Sequence, residues 1–175
     1  MGLSHFREQL VSVRAFAFDM DGVCTNNRVL ISESGQLLRN SNTRDGYALA
    51  CAVREGYPVA IITGGRNESI TARFRELGVG DLYVGVTDKV VALEDFCAKH
   101  GLNPSDVLYM GDDLPDYAVM RRVGFPTCPW DACTEIRDIS LYVSDRCGGD
   151  GCVRDVIEQV LKLHGRWRVP DVPRQ

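Results

Sequence analysis

Four places along this chain put residues of catalytic type at or shortly past the end of a short apolar run. Asp19 and Asp21, followed at once by Gly22, come after the apolar residues 13–18. Thr63, with Gly64 and Gly65 behind it, comes after residues 59–62. Lys89 opens an amphipathic stretch just past Val86-Thr87-Asp88, and Gly111-Asp112-Asp113-Leu114-Pro115-Asp116 follows the apolar residues 107–110. Open α/β sheets bind ligands beyond the carboxyl ends of their strands, so these are positions for chemistry. Clustered carboxylates repel one another, and Mg²⁺, a hard cation that accepts few carboxylates and keeps its waters, relieves the repulsion. A hydroxyl beside glycine amides suits a phosphoryl oxygen, and an ammonium neutralises an anion. The four sites together suit a phosphoryl group seated opposite a metal. Singly, each is also what a strand end, a solvated lysine or a helix cap looks like, so the weight rests on their joint occurrence.

The elements that must position these residues alternate in the manner of βα units, which predicts a mainly parallel Rossmann-like sheet flanked by helices. Strands are expected over residues 13–18, 59–62, 81–84 and 107–110, with shorter peripheral strands at 125–128 and 141–143. Helical spacing of apolar residues predicts helices over 47–54 (capped by Asp45), 67–77, 89–100 and 152–164, with Gly56, Gly78 and Gly101 just beyond the first three. Residues 28–31 and 36–39 around Ser32-Glu33-Ser34-Gly35 read as a small β-hairpin inserted after the first strand, too small for a cap domain. The chain reads as one domain over residues 1–164 and a tail over 165–175, rich in Arg and Pro.

Composition narrows the function classes. A chain of 175 residues, 45% hydrophobic and 25% charged, can bury a core without staples. A net charge of −4 argues against a nucleic-acid partner. No apolar run is long enough to span a membrane and the amino-terminal segment has no signal-peptide core, so a cytoplasmic location is expected. The seven cysteines form no C-x-x-C pair, which favours free thiols in a reducing compartment over a disulfide framework.

With Asp19-Met20-Asp21-Gly22-Val23, Thr63, Lys89 and the Asp112 cluster in this order over nearly the whole chain, the sequence resembles the haloacid dehalogenase superfamily of phosphotransferases. The resemblance implies that Asp19 is the nucleophile, forming an aspartyl-phosphate, and that Asp21 is the general acid/base. It implies Mg²⁺ held by Asp19, the main-chain carbonyl of Asp21 and Asp112, with Asp113 and Asp116 in support. Thr63 and Lys89 would bind the transferred phosphoryl group.

The missing cap, the small hairpin, Thr43-Arg44-Asp45-Gly46-Tyr47, Tyr83-Val84-Gly85 and Gly148-Gly149-Asp150-Gly151 narrow the likeness further. They resemble the capless 3-deoxy-D-manno-octulosonate 8-phosphate phosphatase family. That family implies a homotetramer assembled through the hairpins, acting on a phosphorylated keto sugar acid for cell-surface polysaccharide synthesis. Arg166 and Arg168 of the tail would then reach towards a neighbouring subunit's site. The chain departs from the family pattern at Asn26-Asn27 and at Gly65-Arg66, near the expected sugar. Gly64, Arg66, Glu68 and Arg73 are therefore candidates for substrate contact. A nine-carbon keto sugar acid 9-phosphate is the alternative substrate, and a non-catalytic oligomeric member of the fold is the alternative class.

Overall fold

The computed structural model describes residues 9–66 and 68–167 and, for residues 68–70, the backbone alone. Its centre is a six-stranded sheet: β1 (Ala15–Phe18), β4 (Val59–Thr63), β5 (Asp81–Val84), β6 (Val107–Met110), β7 (Phe125–Cys128) and β8 (Tyr142–Val143). The strand order is β5-β4-β1-β6-β7-β8, and every neighbouring pair is parallel. All residues of β1, β4, β6 and β7 are buried, as a sheet covered on both faces requires. Strand pleating sends Phe16 and Phe18 to one face with Ile61, Leu108 and Met110, and Ala15 and Ala17 to the other with Ala60, Ile62 and Tyr109.

Helices α1 (Thr43–Arg54) and α6 (Cys152–Leu163) cover the first face, where Leu49, Ala52, Val156, Ile157 and Val160 pack on the phenylalanines. Helix α3 (Lys89–His100) covers the second with Leu93 and Phe96, beside the short α4 (Tyr117–Met120) and α5 (Thr134–Ile139). Helix α2 (Glu68–Glu76) joins β4 to β5. The hairpin is present as β2 (Leu30–Ile31) and β3 (Leu37–Leu38), antiparallel with Leu30 opposite Leu38 and Ile31 opposite Leu37.

Two expectations are corrected. Helix α1 begins four residues early because Asn42 is its cap, its side chain accepting from the backbone N–H of Arg44 at 2.8 Å and of Asp45 at 3.4 Å. Asp45 lies inside the helix, 3% exposed, and accepts instead from the backbone N–H of Arg154 at the start of α6, at 2.7 Å. Residues 125–128 are not peripheral: β7 sits between β6 and β8. Pro126 is tolerated there because its carbonyl accepts from Leu141 N, so its missing N–H faces the same side, ahead of the two-residue β8. Helices α4 and α5 are too short to show a helical period in sequence.

Candidate active site

The carboxyl ends of β1, β4 and β6 and the start of α3 meet at one cleft of about 320 Å³. Asp19, Asp21, Thr63, Gly64, Gly65, Lys89, Asp112, Asp113 and Asp116 all line it, with Asn27 from the loop before the hairpin. Parallel register brings them together, because Phe18 pairs with Ile61 on one side and with Met110 on the other, so the residues that follow emerge at one level.

Directly after β1 the chain turns through Met20–Cys24, with Gly22 at φ 90. This is the left-handed region where glycine is free of strain, and a Cβ on Gly22 would also collide with the carboxylate of Asp112. The first glycine therefore serves a close approach between the β1 and β6 loops. Thr63 is 2% exposed, and its hydroxyl accepts from Gly65 N at 3.0 Å, pinning the loop that carries the Gly64 and Gly65 amides.

Lys89 is the electrostatic centre. Its Nζ lies 2.9 Å from Asp19 Oδ1 and 2.7 Å from Asp116 Oδ1. Asp88 places it by capping α3, accepting from Val90 N at 2.8 Å. Asp116 is wholly buried and fully engaged: Oδ1 also accepts from the Tyr109 hydroxyl at 2.7 Å, and Oδ2 from Asp112 N at 3.2 Å. Burial and then the neighbouring Asp116 push the Asp19 carboxyl up to about 7 against the pull of Lys89. Burial, Asp19, Asp116 and Asp113 together push Asp112 up to about 8. Burial alone would lower the Lys89 ammonium, but Asp19 and Asp116 carry it above its ordinary value.

The donor set fits a divalent cation. Carboxyl oxygens of Asp19, Asp112 and Asp116 lie within 4.8 Å of one another, three buried acidic groups against one ammonium. Asp116 is the most committed of the three, with two hydrogen bonds on Oδ1 and one on Oδ2, so Asp19 and Asp112 are the two with more room for a metal, Asp112 being oriented by Asn27 Nδ2 at 3.0 Å. The side chain of Asp21 stands outside this cluster. Both its oxygens are held by Arg39, Nε to Oδ1 at 2.6 Å and Nη2 to Oδ2 at 3.1 Å, with the Thr25 hydroxyl 3.5 Å from Oδ1.

The remaining sequence candidates separate. Arg66 is exposed and its side chain lies over Gly85 at the rim. Arg73 does not join the cleft of its own chain. It sits beside Gly46 of α1 and pairs with Glu76 at 3.3 Å, because residue 73 falls on the α1 side of its helix. The side chain of Glu68 lies outside the described residues, as does all of Arg168. Arg166 folds back on its own chain, donating to Glu55 O at 3.1 Å and stacking over Tyr57 at 5.2 Å. All seven cysteines are free thiols. Arg39, Asn27 and Tyr109 take places in the site that sequence reasoning did not assign, Asn27 figuring there only as a departure from the family pattern near the sugar. Arg39 and Asn27 belong to the hairpin insert and the loop leading to it, and Tyr109 reads as an ordinary core position of β6. The presence of the insert beside the first motif is the one signal that pointed towards the first two.

No family model matches the chain. It is 35% identical over 155 residues to the 3-deoxy-D-manno-octulosonate 8-phosphate phosphatase KdsC of Escherichia coli K12, covering 89% of this chain and 82% of that protein. Among solved structures, the 3-deoxy-D-manno-octulosonate 8-phosphate phosphatase of Moraxella catarrhalis, in complex with magnesium, phosphate and KDO, superposes with a TM-score of 0.89. The identity is 31%, over 93% of each chain. A Legionella pneumophila structure assigned to subfamily III A of the HAD superfamily hydrolases superposes with a TM-score of 0.90 at 28% identity, covering 94% of this chain and 90% of that one.

Proposed function

We propose that this chain, which belongs to the 3-deoxy-D-manno-octulosonate 8-phosphate phosphatase family of the haloacid dehalogenase superfamily, hydrolyses that sugar-acid phosphate to the free acid and phosphate with Mg²⁺ as cofactor. The observation that carries the reading is Lys89 bridging Asp19 and Asp116 beside Asp112, a cation buried among carboxylates where a phosphoryl group must be met.

Asp19 attacks phosphorus through a carboxylate oxygen as the ester P–O bond breaks, giving an aspartyl-phosphate and the sugar alcohol. Asp21 donates the proton that the leaving oxygen needs. It then takes a proton from a water that attacks the same phosphorus, which frees phosphate and restores Asp19. A carboxylate approaching a phosphate dianion meets like charge, so the Lys89 ammonium and the Thr63 hydroxyl with its glycine amides must take up the charge on the equatorial oxygens. Asp19, Asp112 and the main-chain carbonyl of Asp21 would hold Mg²⁺, which would supply further neutralisation of the phosphoryl charge. Asp116 and Asp113 support this set: Asp116 orients Lys89, and Asp113 caps the turn that carries Asp116, accepting from Leu114 N at 2.8 Å.

Gly64, Arg66 and Glu68 are assigned to the side from which the sugar enters, and Arg73 is free to meet a sugar only in a neighbouring copy. We take the active form to be a homotetramer acting in the cytoplasm. Leu30 and Ile31, 68% and 69% exposed on the hairpin, supply apolar surface for assembly, and the free thiols suit a reducing compartment.

The test is phosphate release from eight- and nine-carbon keto sugar acid phosphates, with and without Mg²⁺. Wild type is expected to prefer the eight-carbon ester, and Asp19→Asn to abolish release. Preference for the nine-carbon ester moves the substrate assignment, and no metal-dependent release from any ester overturns the enzyme reading in favour of a non-catalytic member.

A further inference from the structure

Arg39 comes from the residue just after β3 and reaches across to a carboxylate that emerges from β1. Its side chain is only 10% exposed, while that of Asp21 keeps 31%. The contact is a two-pronged fork, Nε to Oδ1 and Nη2 to Oδ2, at 2.6 Å and 3.1 Å. A fork of this kind fixes the plane of a carboxylate as well as its place, which a single ammonium cannot do. It takes one lone pair on each oxygen, and with the Thr25 hydroxyl 3.5 Å from Oδ1 the second position on Oδ2 is the one left open.

Oδ2 stands beside the wall of the cleft. Asp21 lines it, and the wall beside Oδ2 is bare backbone, since a Cβ on Gly65 would stand 3.3 Å from that oxygen. The hairpin gives Arg39 little other support. Leu30, Ile31, Leu37 and Leu38 are 45–69% exposed, so apolar packing within this chain does not seat it. The fork ties the hairpin to the loop after β1, and Asn42 Nδ2 holds the chain three residues later through Gly149 O at 3.0 Å.

We propose that Arg39 is a positioning residue for proton transfer. It holds the Asp21 carboxylate in the plane from which one oxygen reaches the ester oxygen that leaves, and later the attacking water. The inference rests on Asp21 being the acid/base of the proposed reaction. It makes the hairpin part of the catalytic apparatus: anything that moves β3 moves Asp21.

The experiment compares wild type, Arg39→Lys, Arg39→Ala, Asp21→Asn and the double variant Asp21→Asn/Arg39→Ala. Initial rates are measured with Mg²⁺ on 3-deoxy-D-manno-octulosonate 8-phosphate and, in parallel, on ribose 5-phosphate. Positioned proton transfer is worth about 10²- to 10⁴-fold, so Arg39→Ala is expected to lower kcat by ten- to a hundredfold on any ester that wild type hydrolyses. KM should change by less than about twofold, since an arginine that only aims Asp21 adds no binding. Arg39→Lys should fall between the two, and Arg39→Ala should cost nothing further once Asp21 is already Asn. Unchanged thermal midpoints with and without Mg²⁺ separate this from a folding defect.

A rise in KM for the sugar acid alone, with kcat kept, overturns the inference by making Arg39 a receptor for the substrate carboxylate. An increase in kcat overturns it by making the fork inhibitory, and losses that add fully in the double variant overturn it by making Arg39 independent of Asp21. If wild type hydrolyses ribose 5-phosphate and leaves the sugar acid untouched, the substrate assignment fails while the Arg39 comparison stands.

Discussion

Lys89 and Asp116 form an ion pair at 2.7 Å from which water is nearly excluded, the lysine side chain being 10% exposed and the aspartate 0%. Two buried charges held this way are balanced only as a set, because the same ammonium also answers Asp19 at 2.9 Å. Removing one member leaves the others stranded in a poorly solvated place.

Lys89→Met is therefore expected to damage both folding and chemistry. With no divalent cation present, loss of a buried partner should cost about 3–5 kcal/mol, read as a lower urea midpoint at unchanged slope. Phosphatase activity should fall by more than about a hundredfold, because the charge on the transferring group loses its fixed counter-charge. A variant with the wild-type midpoint would mean that Asp19 and Asp116 do not depend on Lys89.

Gly22→Ala probes the approach of the two acidic loops. The position has φ 90, and the added methyl would run into the Asp112 carboxylate that Asn27 holds at 3.0 Å. The backbone strain is worth about 1 kcal/mol, so the protein should still fold. Displacing Asp112 should weaken Mg²⁺ by at least the 10- to 100-fold typical of a disturbed ligand partner, measured by calorimetric titration. Wild-type affinity in this variant would remove Asp112 from the metal site.

The sheet was legible because buried parallel strands announce themselves as continuous apolar runs, and residues 59–62 and 107–110 do so plainly. The chemical residues were legible for a related reason: parallel register lifts whatever follows each run to one end, so Asp19, Thr63 and Asp112 had to meet. Lys89 was legible because it opens a stretch whose apolar residues recur at helical spacing, just past the third strand. Asn42 was not read as the cap of α1 because Asp45 also suits that role, and only the long-range bond from Arg154 draws Asp45 inside the helix. Arg39 was invisible for a similar reason, since its partner is 18 residues away and a two-residue strand has no period to show which way it points.

Asp45 offers a test of buried charge away from the cleft. One oxygen accepts from Arg154 N at 2.7 Å, while Oδ2 has no hydrogen-bond partner among the described residues. Burial pushes its carboxyl up to about 6, against the backbone N–H groups of Arg154 and Gly151. The folded value lies above the unfolded one near 3.9, so this group's contribution is fully present below about pH 4 and is lost as pH rises through 6. Asp45→Asn keeps an acceptor for Arg154 and removes the charge. Above about pH 6 the variant should be more stable than the native chain by about 1–3 kcal/mol, the advantage vanishing near pH 4. Equal urea midpoints at both ends of that range would show that Asp45 is solvated.

The same sign governs the metal site, with a counter-ion added. Asp19 is raised to about 7 by burial and Asp116, and Asp112 to about 8 by burial, Asp19, Asp116 and Asp113, so without metal the folded chain loses stability as pH rises through those values. A divalent cation binds the ionised forms and must displace whatever protons remain, so its affinity should climb with pH across the same window. A ligand that binds only the folded state stabilises in proportion to the logarithm of its concentration over its dissociation constant. The rise in thermal midpoint on adding Mg²⁺ should therefore be small near pH 6 and grow steadily towards about pH 8.5. Asp112→Asn should flatten that dependence, because it removes the most strongly raised carboxyl and one of the two ligands with room for metal. A midpoint gain that is level with pH in the native chain would mean that the carboxylates are already ionised before the metal arrives, and that Lys89 alone is enough to hold them so.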